Sequence, residues 1–166
     1  MASYQLIAAM NPCPCGYLGH PTRACRCSPE QVARYQGKLS GPLLDRIDLM
    51  VDVPALPPDH LLHGLAGEPS ACVRERVVTP RQRALVRQGQ ANQTLGGRAI
   101  DEHVQADATA LKFLQNAAQR LGWSARSTHR ALRVARTIAD LAGQDQVGVA
   151  DIAEAVQYRR GPGARG

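Results

Sequence analysis

The chain has 166 residues, 44% of them apolar and 20% charged, which suits a packed core and argues against wholesale disorder. Its apolar runs fall far short of the ~18 residues a membrane span needs, and no basic, apolar leader is visible, so no membrane partner and a cytoplasmic location are expected. A formal charge of +6 favours acidic partners such as nucleic acid or nucleotide phosphates, whereas 4% aromatics leaves little for stacking on single-stranded bases.

Only Lys38 and Lys112 are lysines; the other 18 of the 20 basic residues are arginines. Neither lysine sits in a phosphate-cradling loop: Lys38 follows Gly37 but precedes Leu39, and Lys112 lies between Leu111 and Phe113. The acidic pair Asp101-Glu102 does not follow an apolar strand. Nothing within these residues is expected to hydrolyse a nucleotide unaided.

In chain order, Tyr4 to Met10 reads as a buried strand ending at Asn11-Pro12. A Cys-, Pro- and Gly-rich loop runs from Asn11 to Ser28. Ser28-Pro29-Glu30 then opens a short helix that Gly37 ends. Pro42 to Arg46 reads as one helical turn and Ile47 to Val53 as a second strand, stopped by Pro54, Pro57 and Pro58. Glycines and Pro69 mark a linker. Ser70 to about Gln90 forms one long helix or two short ones, with Thr79-Pro80 predicting a kink or a restart capped by Thr79. Residues 90–102, with Gly96-Gly97, read as loop. Three amphipathic helices follow: Asp107–Leu121 closed by Gly122, Ala125–Leu141 capped by Ser124, and one around Val149–Tyr158. The half from Ser70 onward is a small helical bundle, and the residues from Arg159 to Gly166 look frayed.

Four constellations could carry chemistry. Cys13-Pro-Cys15 and Cys25-Arg-Cys27 are separated by nine residues. Four thiolates on one loop could close a tetrahedral zinc site, although zinc pairs usually have two to four intervening residues. A reduced, unliganded loop is the alternative, and the spacing does not decide. Asn11 stands at a strand end, where a polar side chain can orient water or phosphate; from the local sequence alone, Asn-Pro turn initiation is favoured. Arg46, flanked by Asp45 and Asp48, could offer its guanidinium to a neighbour's phosphate; locally, a surface arginine paired with those acids is favoured. Arg120, Arg126, Arg130, Arg133 and Arg136 meet no acid until Asp140. Arg126 lies in a first helical turn, where the macrodipole disfavours a cation, and this suggests a phosphate partner. For Arg133 and Arg136 a solvated face is favoured.

Together, Gln5-Leu-Ile-Ala-Ala-Met-Asn-Pro-Cys-Pro-Cys-Gly16, Cys-Ser-Pro at 27–29, Leu-Ser-Gly-Pro-Leu-Leu-Asp-Arg-Ile-Asp-Leu at 39–49, Arg-Val-Ala-Arg-Thr-Ile-Ala-Asp-Leu at 133–141 and Ala-Val-Gln-Tyr-Arg at 155–159 resemble the magnesium-chelatase-like AAA+ ATPases of the YifB/ComM competence-protein type. The match covers the C-terminal third or so of such a protein, with the Walker motifs expected before Met1. It implies a mainly α fold: a helical-bundle lid preceded by a partial α/β AAA+ core with two short strands, one short helix and a Cys-rich loop. The implied division is core at 1–56, linker at 57–69, lid at 70–160 and a disordered tail at 161–166. It gives Asn11 the part of sensor 1, polarising the attacking water, and Arg46 that of the arginine finger, reaching the adjacent subunit's nucleotide. Arg126 matches sensor 2 on the lid. Pro80 falls where the resemblance implies an uninterrupted lid helix. The implied whole is a hexameric ATPase using ATP with Mg2+ and acting on DNA in branch migration during natural transformation, with this chain inactive alone. The alternative is a stand-alone nucleic-acid-binding module, with a zinc-ordered loop at Cys13, Cys15, Cys25 and Cys27 and an arginine-rich helix.

Overall fold

Helix signals dominate the sequence, and helices dominate the fold. The computed structural model describes residues 5–57, 59, 63–64 and 66–159. Tyr4, parts of the linker and the tail from 160 onward lie outside the described residues. The short helices α1 (Pro29–Gln36) and α2 (Gly41–Leu44) lie ahead of the bundle. Both begin on a serine: Ser28 accepts the Gln31 amide while the Gln31 side chain accepts the Ser28 amide, and Ser40 accepts the Leu43 amide. The bundle comprises α3 (Ser70–Gln88), a 3-10 turn (Asn92–Thr94), α4 (Arg98–Val104), α5 (Ala108–Leu121), α6 (Ala125–Leu141) and α7 (Val149–Gln157). Among the described residues no helix is long and apolar enough to cross a membrane.

α6 is the central helix. Its small Ala131, Ala135 and Ala139 are buried with Leu132, so that α7 (Ile152, Ala155, Val156) comes close, and α5 (Ala110, Leu114) packs in turn against α7. Asp107 caps α5 by accepting the Ala110 amide at 2.7 Å, and Gly122 ends it with φ +61°, as expected of that glycine.

Three expectations need correction. The mainly α class is observed, but residues 5–10 and 47–53 form no strand. A strand exists only through a partner's ladder, and the one β pairing among the described residues is an isolated parallel bridge, Ala106 to Val147. The would-be strands leave Leu6 64%, Ile7 85% and Val53 88% exposed. Pro80 neither breaks nor restarts the helix. α3 runs through it, with Pro80 and Ala84 buried against the bundle while residues 70–79 stay exposed; tertiary packing overrides the proline's local cost. The presumed loop at 90–102 holds the 3-10 turn and the start of α4. Gly97, at φ +51°, is the entry to a helix whose Ile100 and Val104 are buried in the core beside Leu95.

The charge placement also differs. Arg136, expected on a solvated face, is completely buried. It donates to the carbonyls of Val104 (3.2 Å), Asp145 (2.6 Å) and Gln144 (2.6 Å), and pairs with Asp140 at 3.0 Å. Arg87 on α3 grips the same carboxylate with two bonds of 2.6 and 3.0 Å, and the Asn92 amide adds a third at 2.8 Å. Burial pushes the Asp140 carboxyl up, but the bonds from Arg87 and Asn92 and the nearby Arg136 charge win, holding it below its ordinary value of 3.8. A carboxyl depressed in the folded state stabilises fully above that ordinary value, and its contribution is lost as pH falls through the lower folded value. Asp140→Asn is expected to cost about 3–5 kcal/mol at neutral pH, because two guanidiniums lose their counter-charge. Denaturant unfolding at pH 7 and pH 3 checks this: the penalty should shrink at the acid end.

Candidate functional site

Two places on the chain gather chemistry-bearing side chains: the cysteine loop, and the contact between residues 45–50 and the bundle. The loop is folded by short-range backbone bonds. Gly16 turns at φ +80° and donates to the Cys13 carbonyl at 3.0 Å, while the Gln36 amide on α1 donates to the Pro12 carbonyl at 3.0 Å. The His20 ring is committed locally, its Nδ1 accepting the backbone amides of Thr22 (3.2 Å) and Arg23 (3.1 Å). The loop brings Cys13, Cys15, Cys25 and Cys27 together, all four Sγ atoms within 4.8 Å of one another. Cys13 is buried and the other three half-buried.

The Sγ separations Cys13–Cys15, Cys15–Cys25 and Cys13–Cys25 are 3.4, 3.6 and 3.7 Å. A tetrahedron with zinc–sulfur bonds of about 2.3 Å has edges of about 3.8 Å, so the donor set and its spacing fit a four-thiolate zinc centre. A disulfide needs about 2.05 Å, and all four thiols are free. The amides of Arg26 and then Tyr17 point at Cys15 and lower its thiol to about 6. Cys25 is pushed up to about 12: the Cys27 amide acts to lower it, but burial and the adjoining Cys15 and Cys13 thiols prevail. Asn11 is exposed beside this loop, its side chain 3.7 Å from where a Cβ on Gly16 would stand.

Arg46 and Arg126 are both exposed, and the structure joins the segments that carry them. Ser127, directly after Arg126, donates its hydroxyl to Asp45, directly before Arg46, at 3.0 Å. Arg130 donates to the Arg46 carbonyl at 2.6 Å and pairs with Asp48 at 2.5 Å. Arg159 donates to the Ile47 carbonyl at 2.9 Å and to the Ser127 hydroxyl at 3.2 Å, its guanidinium 5.6 Å from the Trp123 ring centre. The Met50 amide donates to the Tyr158 carbonyl at 2.7 Å.

This arrangement decides how Arg46 is used locally. Its flanking acids serve Ser127 and Arg130, and among the described residues the Arg46 guanidinium donates only to the Pro42 carbonyl, at 3.2 Å. The expected pairing of Arg46 with Asp45 or Asp48 is absent. Arg126 makes no side-chain hydrogen bond or ion pair among the described residues. The arginine-rich face of α6 is otherwise engaged: Arg130 with Asp48, Arg133 with the Gln93 carbonyl at 3.3 Å, Arg136 in the core. No hydrogen bond joins Asn11 to either exposed arginine among the described residues. Sequence reasoning missed Ser127 and Arg159. Arg159 closes a contact 112 residues away in the chain, and nothing local to either residue announces it.

Residues 67–159 match the family described as magnesium chelatase, subunit ChlI C-terminal, and residues 1–61 match magnesium chelatase, subunit ChlI. The chain belongs to the magnesium-chelatase ChlI-like family. It is 44% identical over 160 residues to competence protein ComM of Haemophilus influenzae, covering 95% of this chain and 31% of that protein. Protein YifB of Escherichia coli is 41% identical over the same shares. An uncharacterised protein of Mycobacterium tuberculosis H37Rv is 36% identical over 173 residues, covering 99% of this chain and 33% of the relative. The chain thus spans about a third of the length of these relatives.

Proposed function

We propose that this chain supplies the arginine-bearing wall of an ATP-hydrolysing site in a ring-forming, DNA-remodelling ATPase, with the phosphate-cradling loop and its Mg2+ provided by sequence outside these residues. The observation that carries the reading is the pair of exposed guanidiniums at Arg46 and Arg126, left without acid partners while the acids beside them serve other groups. A protein that keeps a cation unpaired beside occupied carboxylates is set up for an anion from elsewhere. Arg46 reaches the nucleotide of an adjacent subunit and stabilises charge on the transferring phosphoryl group. Arg126 sits in the first turn of α6, where the macrodipole adds its own positive end to an incoming phosphate. Asn11 orients the attacking water. The formal charge of +6 and the competence-protein name of the Haemophilus relative favour DNA as the larger partner, and a hexameric ring is the assembly in which Arg46 could reach an adjacent subunit's nucleotide. Free binding of nucleic acid along α6 draws little support, because Arg130, Arg133 and Arg136 are committed internally.

The four thiols form a structural zinc site on this reading. The loop between Asn11 and Ser28 buries almost nothing apart from Cys13, so it has too little apolar contact to order itself, and metal ligation supplies what packing does not.

Two experiments test this. In the intact protein, Arg46→Ala should cut ATP turnover by about 1000-fold or more while nucleotide binding persists. Arg126→Ala should lower turnover less; normal kinetics in either variant contradicts its role. Metal analysis of protein purified without chelator should find about one zinc per chain. Cys25→Ser should lose it and the loop's dispersed amide signals together; a metal-free loop with unchanged signals contradicts the site.

A further inference from the structure

The chain holds the backbone around Arg46 far more firmly than an exposed loop requires. Three consecutive residues are each gripped by the bundle: Asp45 through its side chain by Ser127, Arg46 through its carbonyl by Arg130, and Ile47 through its carbonyl by Arg159. The Arg46 guanidinium itself is exposed and is not gripped by the bundle, donating to the Pro42 carbonyl beside it.

Ser127 is the hub of this clamp. It is buried, and its hydroxyl uses its whole capacity of one donor and two acceptor positions. It donates to Asp45 and accepts from Arg159 at 3.2 Å and from Ser124 at 3.3 Å. Ser124 is also the cap of α6, accepting the Ser127 amide at 3.2 Å. The first turn of α6 is therefore one hydrogen-bonded unit. It carries Arg126 at one end of the Asp45–Ser127 bond and Arg46 at the other. Each residue that could bring charge into the clamp is matched: Arg159 and Arg130 are positive, Asp45 and Asp48 negative.

From this we infer that Ser127 and Asp45 are positioning residues that couple the two exposed arginines, so that any movement of the α6 start on binding a phosphate at Arg126 is passed to Arg46. The inference rests on reading both arginines as nucleotide-facing. In a ring it gives each subunit a mechanical route from its own nucleotide, through one buried hydroxyl, to the arginine it offers to the next site.

The test uses the intact protein and steady-state ATP turnover. Ser127→Ala should lower kcat by about 100-fold, the cost of a roughly 1 Å misplacement of a catalytic group. KM should stay within about twofold, because the loss falls on the transition state rather than on substrate binding. Ser127→Thr keeps the hydroxyl and should restore most of kcat. Placed in an Arg46→Ala background, Ser127→Ala should cost nothing further, since the group it positions is gone. Asp45→Ala, at the half-buried end of the same bond, should repeat the pattern if Ser127→Ala fails to fold. A wild-type kcat in Ser127→Ala, or an equal loss with and without Arg46, overturns the coupling. Normal turnover in Arg46→Ala instead overturns the nucleotide-facing reading itself, so the two failures are distinguishable.

Discussion

Helix α6 carries four arginines and a single carboxylate, and burying three of those guanidiniums wholly or in part, at Arg130, Arg133 and Arg136, is the constraint the rest of the structure answers. A guanidinium taken out of water must find counter-charge or carbonyl oxygens, or the helix cannot pack. The solutions come from distant segments. Asp140 is shared by Arg136 and by Arg87 of α3; carbonyls of the α4 end and of the loop after α6 complete Arg136; the Gln93 carbonyl takes Arg133; Asp48 takes Arg130. Closing these bonds fixes α3, the 3-10 turn and residues 45–50 onto one helix. Arg126 is the one arginine of the four for which the described residues provide nothing.

That accounting links the fold to the proposed chemistry. Asp48 and Asp45 hold α6, directly or through Ser127, and neither pairs with Arg46. The two guanidiniums left over are thus by-products of how the others are satisfied, and they flank one hydrogen bond. Other exposed arginines, Arg34 and Arg120 among them, also lack an ion pair among the described residues; what sets Arg46 and Arg126 apart is their place on either side of the Asp45–Ser127 bond. The cysteine loop stands apart from this network. It is tied to α1 through Gln36 and Pro12, and its four sulfurs converge on one another.

Much of the bundle was legible because its signals are local. Ser28 and Ser124 cap the helices they were expected to cap, Asp107 caps the helix it was expected to begin, and Gly122 ends α5 in the left-handed region. The misreadings came where local preference and tertiary packing disagree. Pro80 is tolerated because its ring is buried against the bundle, and Gly96-Gly97 lead into a helix whose Ile100 and Val104 have a core to enter. The apolar segments 5–10 and 47–53 have the composition of strands, but pairing is a property of two segments and a single sequence window shows one. Arg136 looked solvated because charge was read without its partner four residues on, Asp140. The thiol cluster was visible as spacing, whereas its near-tetrahedral closeness appears only once the loop is folded. The Ser127–Asp45 bond, spanning 82 residues, had no sequence signature at all.

The central claim is that Arg46 acts on a nucleotide held by another subunit. The direct measurement mixes two forms of the intact protein, each inactive alone: one carrying Arg46→Ala, the other with its phosphate-binding loop disabled and Arg46 intact. If the guanidinium is supplied across a subunit boundary, mixed rings pair an intact loop with an intact arginine and ATP turnover returns. If turnover stays at the level of the separate forms while mixed rings assemble, Arg46 does not work in trans and the account is wrong.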